Sequence, residues 1–188
     1  MRLRVWGATA ACVAVLAAGL NGQAPAGAGN AVNAESFAKQ AMLANKAEVK
    51  VGELAIQKAQ NPEVKEFAQM MVREHTNGLN ALKEAVKGQG VEEPAQLDTK
   101  HQALYDRLSK LSGAAFDREY MQAMVDGHRE VKNMVETRAN RTPTTTGTSG
   151  RVSDDSRLDN AVNQWATKTL PTVTKHLERA EQISGRVN

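Results

Sequence analysis

Cysteine is almost absent from this chain of 188 residues, because Cys12 is the only one and lies in an apolar segment near the N-terminus. If export removes that segment, the mature chain cannot form disulfides, thiolate metal sites or a thiol nucleophile. Covalent haem attachment through a Cys-x-x-Cys-His motif is excluded in the same way. Aromatic residues make up only 4% of the chain, and valine and isoleucine never alternate with polar residues as they do in strands. An all-α fold is therefore predicted.

The chain also lacks a marked excess of positive or negative residues once the N-terminal segment is left out of the count. Removal of Arg2 and Arg4 leaves 22 basic against 21 acidic residues. This balance, without a basic cluster, predicts no nucleic-acid partner. The chain has no glycine-rich phosphate loop, and its serines and threonines concentrate near Pro143, far from any histidine. No nucleophile–base pair is predicted, so the sequence favours binding over catalysis.

The first 28 residues have the order of a secretory signal peptide. A basic start is followed by an apolar run from Val5 to Leu20 and by small residues through Ala28. The run of about 16 residues is short for a membrane helix, which needs about 20. Cleavage after Ala26 or Ala28 predicts a mature domain in the periplasm or cell envelope without a stable membrane span. The alternative is an uncleaved N-terminal anchor.

The rest of the chain is rich in residues that favour helices, and its apolar residues recur three or four positions apart. The predicted helices cover 34–59, 62–87, 99–111, 114–140 and 155–184. Asn61 and Pro62 predict a tight turn and hence an antiparallel hairpin. Pro171 is expected to kink the last helix. The polar stretch 141–154 predicts a flexible, disordered loop.

These elements predict one domain over 34–184. Four helices of about 26 residues would each span about 40 Å. The tight turn at Asn61, the long connection around the short helix and the loop at 141–154 together favour an antiparallel four-helix bundle. It would have one long crossover containing a short extra helix, as in ferritin-like folds.

One carboxylate and three imidazoles interrupt the apolar stripes of the four long helices: Glu48, His75, His128 and His176. Glu48 lies 13 residues before Asn61 and His75 lies 14 after it, so a contact between them is predicted. Similar counting, with a symmetric turn, puts His176 about 13 Å out of level with His128. Trp165, not His176, is therefore expected to be the neighbour of His128, unless the kink at Pro171 or the loop shifts the register.

Several interpretations of these four residues remain open. They can form a buried polar network that fixes helix pairing, with histidine partnering the carboxylate. They can instead bind a divalent metal such as zinc, iron or copper, which accept mixed Glu and His ligands. A second alternative is non-covalent haem held by one Met and one His, or a copper ion. The methionines, however, are more typical of core packing.

Oxidase chemistry is disfavoured by one missing motif. Ferritin-like di-iron proteins carry Glu-x-x-His on two helices. Here the residues three positions before the histidines are Val72, Val125 and Val173. The sequence thus favours a non-enzymatic binding protein of the cell envelope, concerned with envelope maintenance or stress. An envelope protein or a second copy of the chain is its expected partner.

Three stretches resemble a known family: AEVKVGELAIQKAQNPEVKEFAQMMVREH, LSGAAFDREYMQAMVDGH and LPTVTKHLERA. Together they are similar to the bacterial domain-of-unknown-function family 4142, often labelled as exported or outer-membrane proteins, from about Phe37 to Ile183. The resemblance implies a ferritin-like helix bundle and export, and it draws attention to the four polar residues. It implies no reaction. The threonine-rich stretch 142–149 resembles an insertion, and no role is assigned to it.

Overall fold

The computed structural model describes residues 33–141 and 154–187, and this part of the chain contains five α-helices and no strand. The helices are α1 (Ala34–Lys58), α2 (Pro62–Ala85), α3 (Thr99–Ser109), α4 (Gly113–Ala139) and α5 (Asp154–Val187). The predicted all-α class is confirmed, and each predicted helix is found within three residues of its expected ends. The predicted signal peptide and residues 142–153 of the predicted loop lie outside the described ranges.

Side-chain caps explain where three of the helices begin. The side-chain oxygen of Asn33 accepts a hydrogen bond from the backbone N–H of Ser36, and that of Asn61 accepts one from Glu63. The carboxylate of Asp98 accepts one from the backbone of His101 at the start of α3. These bonds satisfy backbone donors that have no partner within a first helical turn. The local sequence therefore fixes the starts of α1, α2 and α3.

Helices α1 and α2 run antiparallel in close contact. Asn45 on α1 contacts His75 on α2, and nearer the connecting turn Gly52 faces Val72. A Cβ atom at Gly52 would lie 2.8 Å from Cγ2 of Val72, so only glycine lets the two helices approach this closely without a shift. The tight turn at Asn61 and this glycine together set the spacing of the hairpin.

Helices α4 and α5 form the second antiparallel pair. Arg138, near the end of α4, pairs with Asp159, near the start of α5. Nearer the middle of α4, Arg129 donates to Glu181 of α5 at 2.6 Å. The long connection between α2 and α4 contains α3 and lies over α1, where Lys58 Nζ donates to the carbonyl oxygen of Ser109 at 2.7 Å. No helix in the described ranges is both long and apolar enough to cross a membrane.

The apolar core consists of two clusters separated along every long helix. The first contains Val51, Phe67, Met71, Phe116, Tyr120, Met124 and Ile183. The second contains Phe37, Met42, Leu82, Val135, Val162 and Trp165. On each long helix, polar residues lie between the residues of the first cluster and those of the second. They are Asn45 and Glu48 on α1, His75 on α2, His128 on α4 and His176 on α5. The core is thus interrupted by one polar layer, which is the candidate site.

Candidate metal centre

Three buried histidines meet in the polar layer. The ring centroids of His75 and His128 are 5.6 Å apart, those of His75 and His176 are 5.2 Å apart, and those of His128 and His176 are 5.5 Å apart. One ring nitrogen from each histidine lies within 4.8 Å of the other two. Histidines from α2, α4 and α5 therefore converge on one point in the core.

The expectation that Trp165 would neighbour His128 is wrong. Trp165 packs edge-on against Phe37 in the second apolar cluster, with ring centroids 6.1 Å apart, and its Nε1–H donates to the carbonyl of Gly78. The expectation assumed a symmetric turn between α4 and α5. The long connection between these helices imposes no such symmetry, so packing sets their register and brings His176 to His128.

Asn45 orients the ring of His75. The Asn45 side-chain amide donates to the carbonyl of Ala41 at 2.7 Å, which leaves its oxygen 3.0 Å from Nδ1 of His75. Because this oxygen can only accept, Nδ1 of His75 carries the proton and donates. Nε2 of His75 is then a lone-pair acceptor, and it is buried with no hydrogen-bond partner among the described residues.

The other two histidines follow the same rule. Nδ1–H of His128 donates to the carbonyl of Met124 at 2.8 Å, and Nε2–H of His176 donates to the carboxylate of Glu74 at 2.8 Å. Their second nitrogens, Nε2 of His128 and Nδ1 of His176, are buried without a partner in the described part of the chain. Each ring is therefore held by one oxygen acceptor and keeps one free lone pair.

The environment keeps two of these imidazoles neutral near pH 7. Burial lowers the pKa of His75 well below 6.5, and the neighbouring His128 and His176 lower it further. Burial also lowers the pKa of His176, although the hydrogen bond to Glu74 opposes the shift. A charged imidazole loses its hydration in the core, so the neutral form is favoured. Neutral imidazole is also the form that binds metal ions.

Glu48 lies beside the histidine cluster rather than in it. Its carboxylate Oε1 is 3.9 Å from Nδ1 of His128, the nitrogen that faces Met124. Its side chain is 13% exposed, and Oε2 has no hydrogen-bond partner among the described residues. Burial raises the pKa of Glu48 above its ordinary value of 4.5, although the charges of His128 and His101 oppose this.

The predicted contact between Glu48 and His75 is therefore wrong, because Asn45 is the partner of His75. Counting residues from the turn gave the level of the two side chains but not their direction. Three residues along a helix turn the side chain by about 300°, which leaves Glu48 about 60° round the axis from Asn45. Asn45 then faces α2 and Glu48 faces α4.

Two residues of the site were missed by the sequence interpretation. Asn45 lies on the same stripe as Ala41, so its polar side chain on a buried face was the available signal. Glu74 precedes His75 by one position, and its side chain, 36% exposed, crosses to His176 on α5. Nothing in the local sequence distinguishes Glu74 from the other surface carboxylates.

A cavity of about 700 Å³ adjoins Glu48 between α1, α3 and α4. Its wall includes the side chains of Leu43, Leu104 and Met134, and His101 also contributes to it. Glu48 is thus shared between the cavity wall and the surroundings of His128. The fourth histidine of the chain, His101, lies in the cavity wall, is hydrogen-bonded to Asp98 and is not part of the cluster.

Helices around a buried set of three histidines define an all-α protein with a candidate metal centre. The chain belongs to the family described as Domain of unknown function (DUF4142), whose model matches residues 20–146. The match includes Glu48, His75 and His128 and ends before His176. The suspected family is therefore confirmed.

Among solved structures, the chain is similar to a protein of the DUF305 family from Streptomyces coelicolor that is described as secreted. The TM-score is 0.51 at 15% identity, over 80% of this chain and 96% of that one. At this identity the likeness concerns the fold alone. No curated protein matches the chain.

Proposed function

We propose that this protein binds a divalent transition-metal ion through His75, His128 and His176. Two observations carry the proposal: one ring nitrogen of each histidine lies within 4.8 Å of the other two, and each ring keeps one buried nitrogen without a hydrogen-bond partner among the described residues. The opposite nitrogen of each ring donates to an amide oxygen, a backbone carbonyl or a carboxylate. Protein metal sites typically hold their histidines by such second hydrogen bonds, which fix the tautomer and the ring direction.

A purely structural network explains the cluster less well. In a satisfied network, the N–H of one ring would donate to the lone pair of the next. Here all three N–H groups donate to oxygen atoms outside the cluster, and the second nitrogen of each ring is buried without a partner among the described residues. A buried acceptor without a partner costs about 1–3 kcal/mol. A metal ion would satisfy all three at once.

The donor set favours zinc or copper(II) over iron. Three imidazoles with no carboxylate suit zinc and copper, whereas non-haem iron sites usually include at least one carboxylate. Tetrahedral zinc at about 2.0–2.1 Å from each nitrogen would bring the nitrogens to about 3.3 Å from one another. Binding would therefore draw the three rings closer together. Three histidines also leave a fourth position for water.

We propose that the metal site belongs to an exported protein of the periplasm or cell envelope. The similar DUF305 protein is described as secreted, and residues 1–28 have the order of a signal peptide. The two antiparallel pairs, α1 with α2 and α4 with α5, support a four-helix bundle with one crossover, as in ferritin-like folds. No Glu-x-x-His motif accompanies the histidines, so we favour a metal-binding role over oxidase chemistry.

Metal analysis of tag-free protein tests the proposal. After chelator treatment and dialysis, titration with zinc and with copper(II) should show about one ion bound per chain. His75→Gln, His128→Gln and His176→Gln should each weaken binding by about a hundredfold or more. His101→Gln is the matched control, because this histidine lies outside the cluster. Equal loss in the control, or no binding by the wild type, would refute the site.

A further inference from the structure

We propose that the cavity between α1, α3 and α4 binds a small apolar molecule carrying a primary ammonium group, which Glu48 holds. The inference goes beyond the metal site, since Glu48 stands behind His128 and outside the cluster of three histidines. The cavity and the metal centre are therefore two separate sites that share one neighbouring residue.

The size and lining of the cavity suit a small organic ligand. Its volume of about 700 Å³ falls in the range of about 300–1,000 Å³ that is typical of ligand pockets. Much of its wall is apolar: Leu43, Ala44, Leu104, Ala123, Val131 and Met134. A wall of this kind favours the hydrocarbon part of a ligand, because binding removes apolar surface from water.

The charged groups of the wall single out Glu48. The others have partners: Lys100 with Glu130, His101 with Asp98, while Arg107 and Asp126 pair with residues outside the wall. Glu48 has only the 3.9 Å approach of its Oε1 to His128, and Oε2 is buried without a partner in the described part of the chain. Glu48, which lines the cavity with its side chain 13% exposed, is therefore a charged residue of the wall that makes no hydrogen bond within the described part of the chain.

An ammonium group matches this acceptor better than a neutral donor does. It has only hydrogen-bond donors, whereas Glu48 supplies an oxygen acceptor that is shielded from bulk water. Hydrogen bonds between a charged donor and a carboxylate are about twice as strong as those between neutral groups. We therefore expect the hydrocarbon chain to lie against the leucines and the ammonium to reach the carboxylate of Glu48 from the side of Gly127, where Oε1 lies.

The test compares hexylammonium chloride with hexanol on chelator-treated wild-type protein, so that metal binding plays no part. Isothermal titration should show hexylammonium binding about tenfold more tightly than hexanol. Glu48→Gln should remove this preference while hexanol binding stays unchanged. Glu53→Gln is the matched control, because Glu53 is an exposed residue on the same helix.

A second variant tests the cavity without touching the carboxylate. Ala123→Leu adds bulk to the wall, so it should weaken both probes by about tenfold while far-ultraviolet circular dichroism confirms that the helices remain. Chemical-shift changes of the Leu43 and Leu104 methyl groups should accompany binding in the wild type. Equal affinity for the two probes, an unchanged preference in Glu48→Gln, or undiminished binding in Ala123→Leu would each overturn the proposal.

Discussion

Replacement of His176 by leucine should change stability in opposite directions with and without metal. Without metal, the native protein holds Nδ1 of His176 in the core with no partner among the described residues, at a cost of about 1–3 kcal/mol. Leucine removes this group and retains an apolar volume similar to that of the imidazole. The hydrogen bond to Glu74 is lost, but Glu74 is 36% exposed and water can replace the partner. We expect His176→Leu to be as stable as the chelated wild type, or up to about 2 kcal/mol more stable.

With metal, the order should reverse. A ligand present at about a thousand times its dissociation constant stabilises the folded state by about 4 kcal/mol. For a domain of this size, that free energy corresponds to a rise in Tm of about 8–16 °C. The variant lacks one of three ligands and should gain little of this stabilisation. In zinc, the Tm of the wild type should therefore be well above that of His176→Leu. In chelator, the Tm of the wild type should be equal to or below that of the variant.

Thermal and urea unfolding of both proteins, each with zinc and with chelator, measure the four free energies required. His101→Leu serves as the control for removing a histidine, since its partner Asp98 lies outside the cluster. An equal zinc-induced rise in Tm for wild type and His176→Leu would refute the three-histidine site. A His176→Leu protein that is several kcal/mol less stable than the chelated wild type would refute the argument about the unpartnered nitrogen.

Three further predictions follow from the same geometry. Gly78→Ala should lower zinc affinity by about tenfold, because a Cβ at this position would lie 2.9 Å from the Asn45 oxygen that orients the ring of His75. A competition titration measures the affinity, and an unchanged value would contradict the prediction. In chelator, stability by urea unfolding should fall as pH drops below 6.5, because the unfolded chain protonates its histidines first while burial holds the pKa of His75 lower. The raised pKa of Glu48 acts in the opposite sense, since stability falls as pH rises from 4.5 towards that pKa. The profile is therefore measured in Glu48→Gln, where a flat line from pH 7 to pH 5 would refute the lowered pKa of His75. Asp117→Ala should cost about 1–3 kcal/mol, because its carboxylate accepts the backbone N–H of the turn residues 60 and 61, and the exposed Asp126→Ala should cost far less.

The helices could be predicted because their ends carry local signals. Asn61 and Pro62 provide a cap and a first-turn proline, and Gly88 adopts a φ of 74° where the chain leaves α2. Asn33 and Asp98 cap two further helices at the expected places. Such signals depend on a few neighbouring residues, so they can be read without knowledge of the fold.

The partners within the site could not be predicted in the same way. The sequence marked His75, His128 and His176 as polar residues on apolar stripes, but their convergence depends on the relative positions of three helices. Asn45 and Glu48 differ by only about 60° in direction round the axis of α1, yet this difference decides which of them is the partner of His75. Asp117 illustrates the same limit, since its place near the start of α4 resembles a favourable first-turn charge. In the structure it is buried and fastens α4 to the turn between α1 and α2.

The three histidines are divided unequally between the two antiparallel pairs. His75 belongs to the α1–α2 pair, whereas His128 and His176 belong to the α4–α5 pair. An ion bound by all three would therefore act as a cross-link between two halves of the chain that are also joined by the connection containing α3 and by the two shared apolar clusters. If that connection were cut, reassembly of the halves would become a bimolecular reaction whose association constant depends on the metal concentration. Metal supply would then decide whether the apolar faces of the two halves stay covered by one another or become exposed.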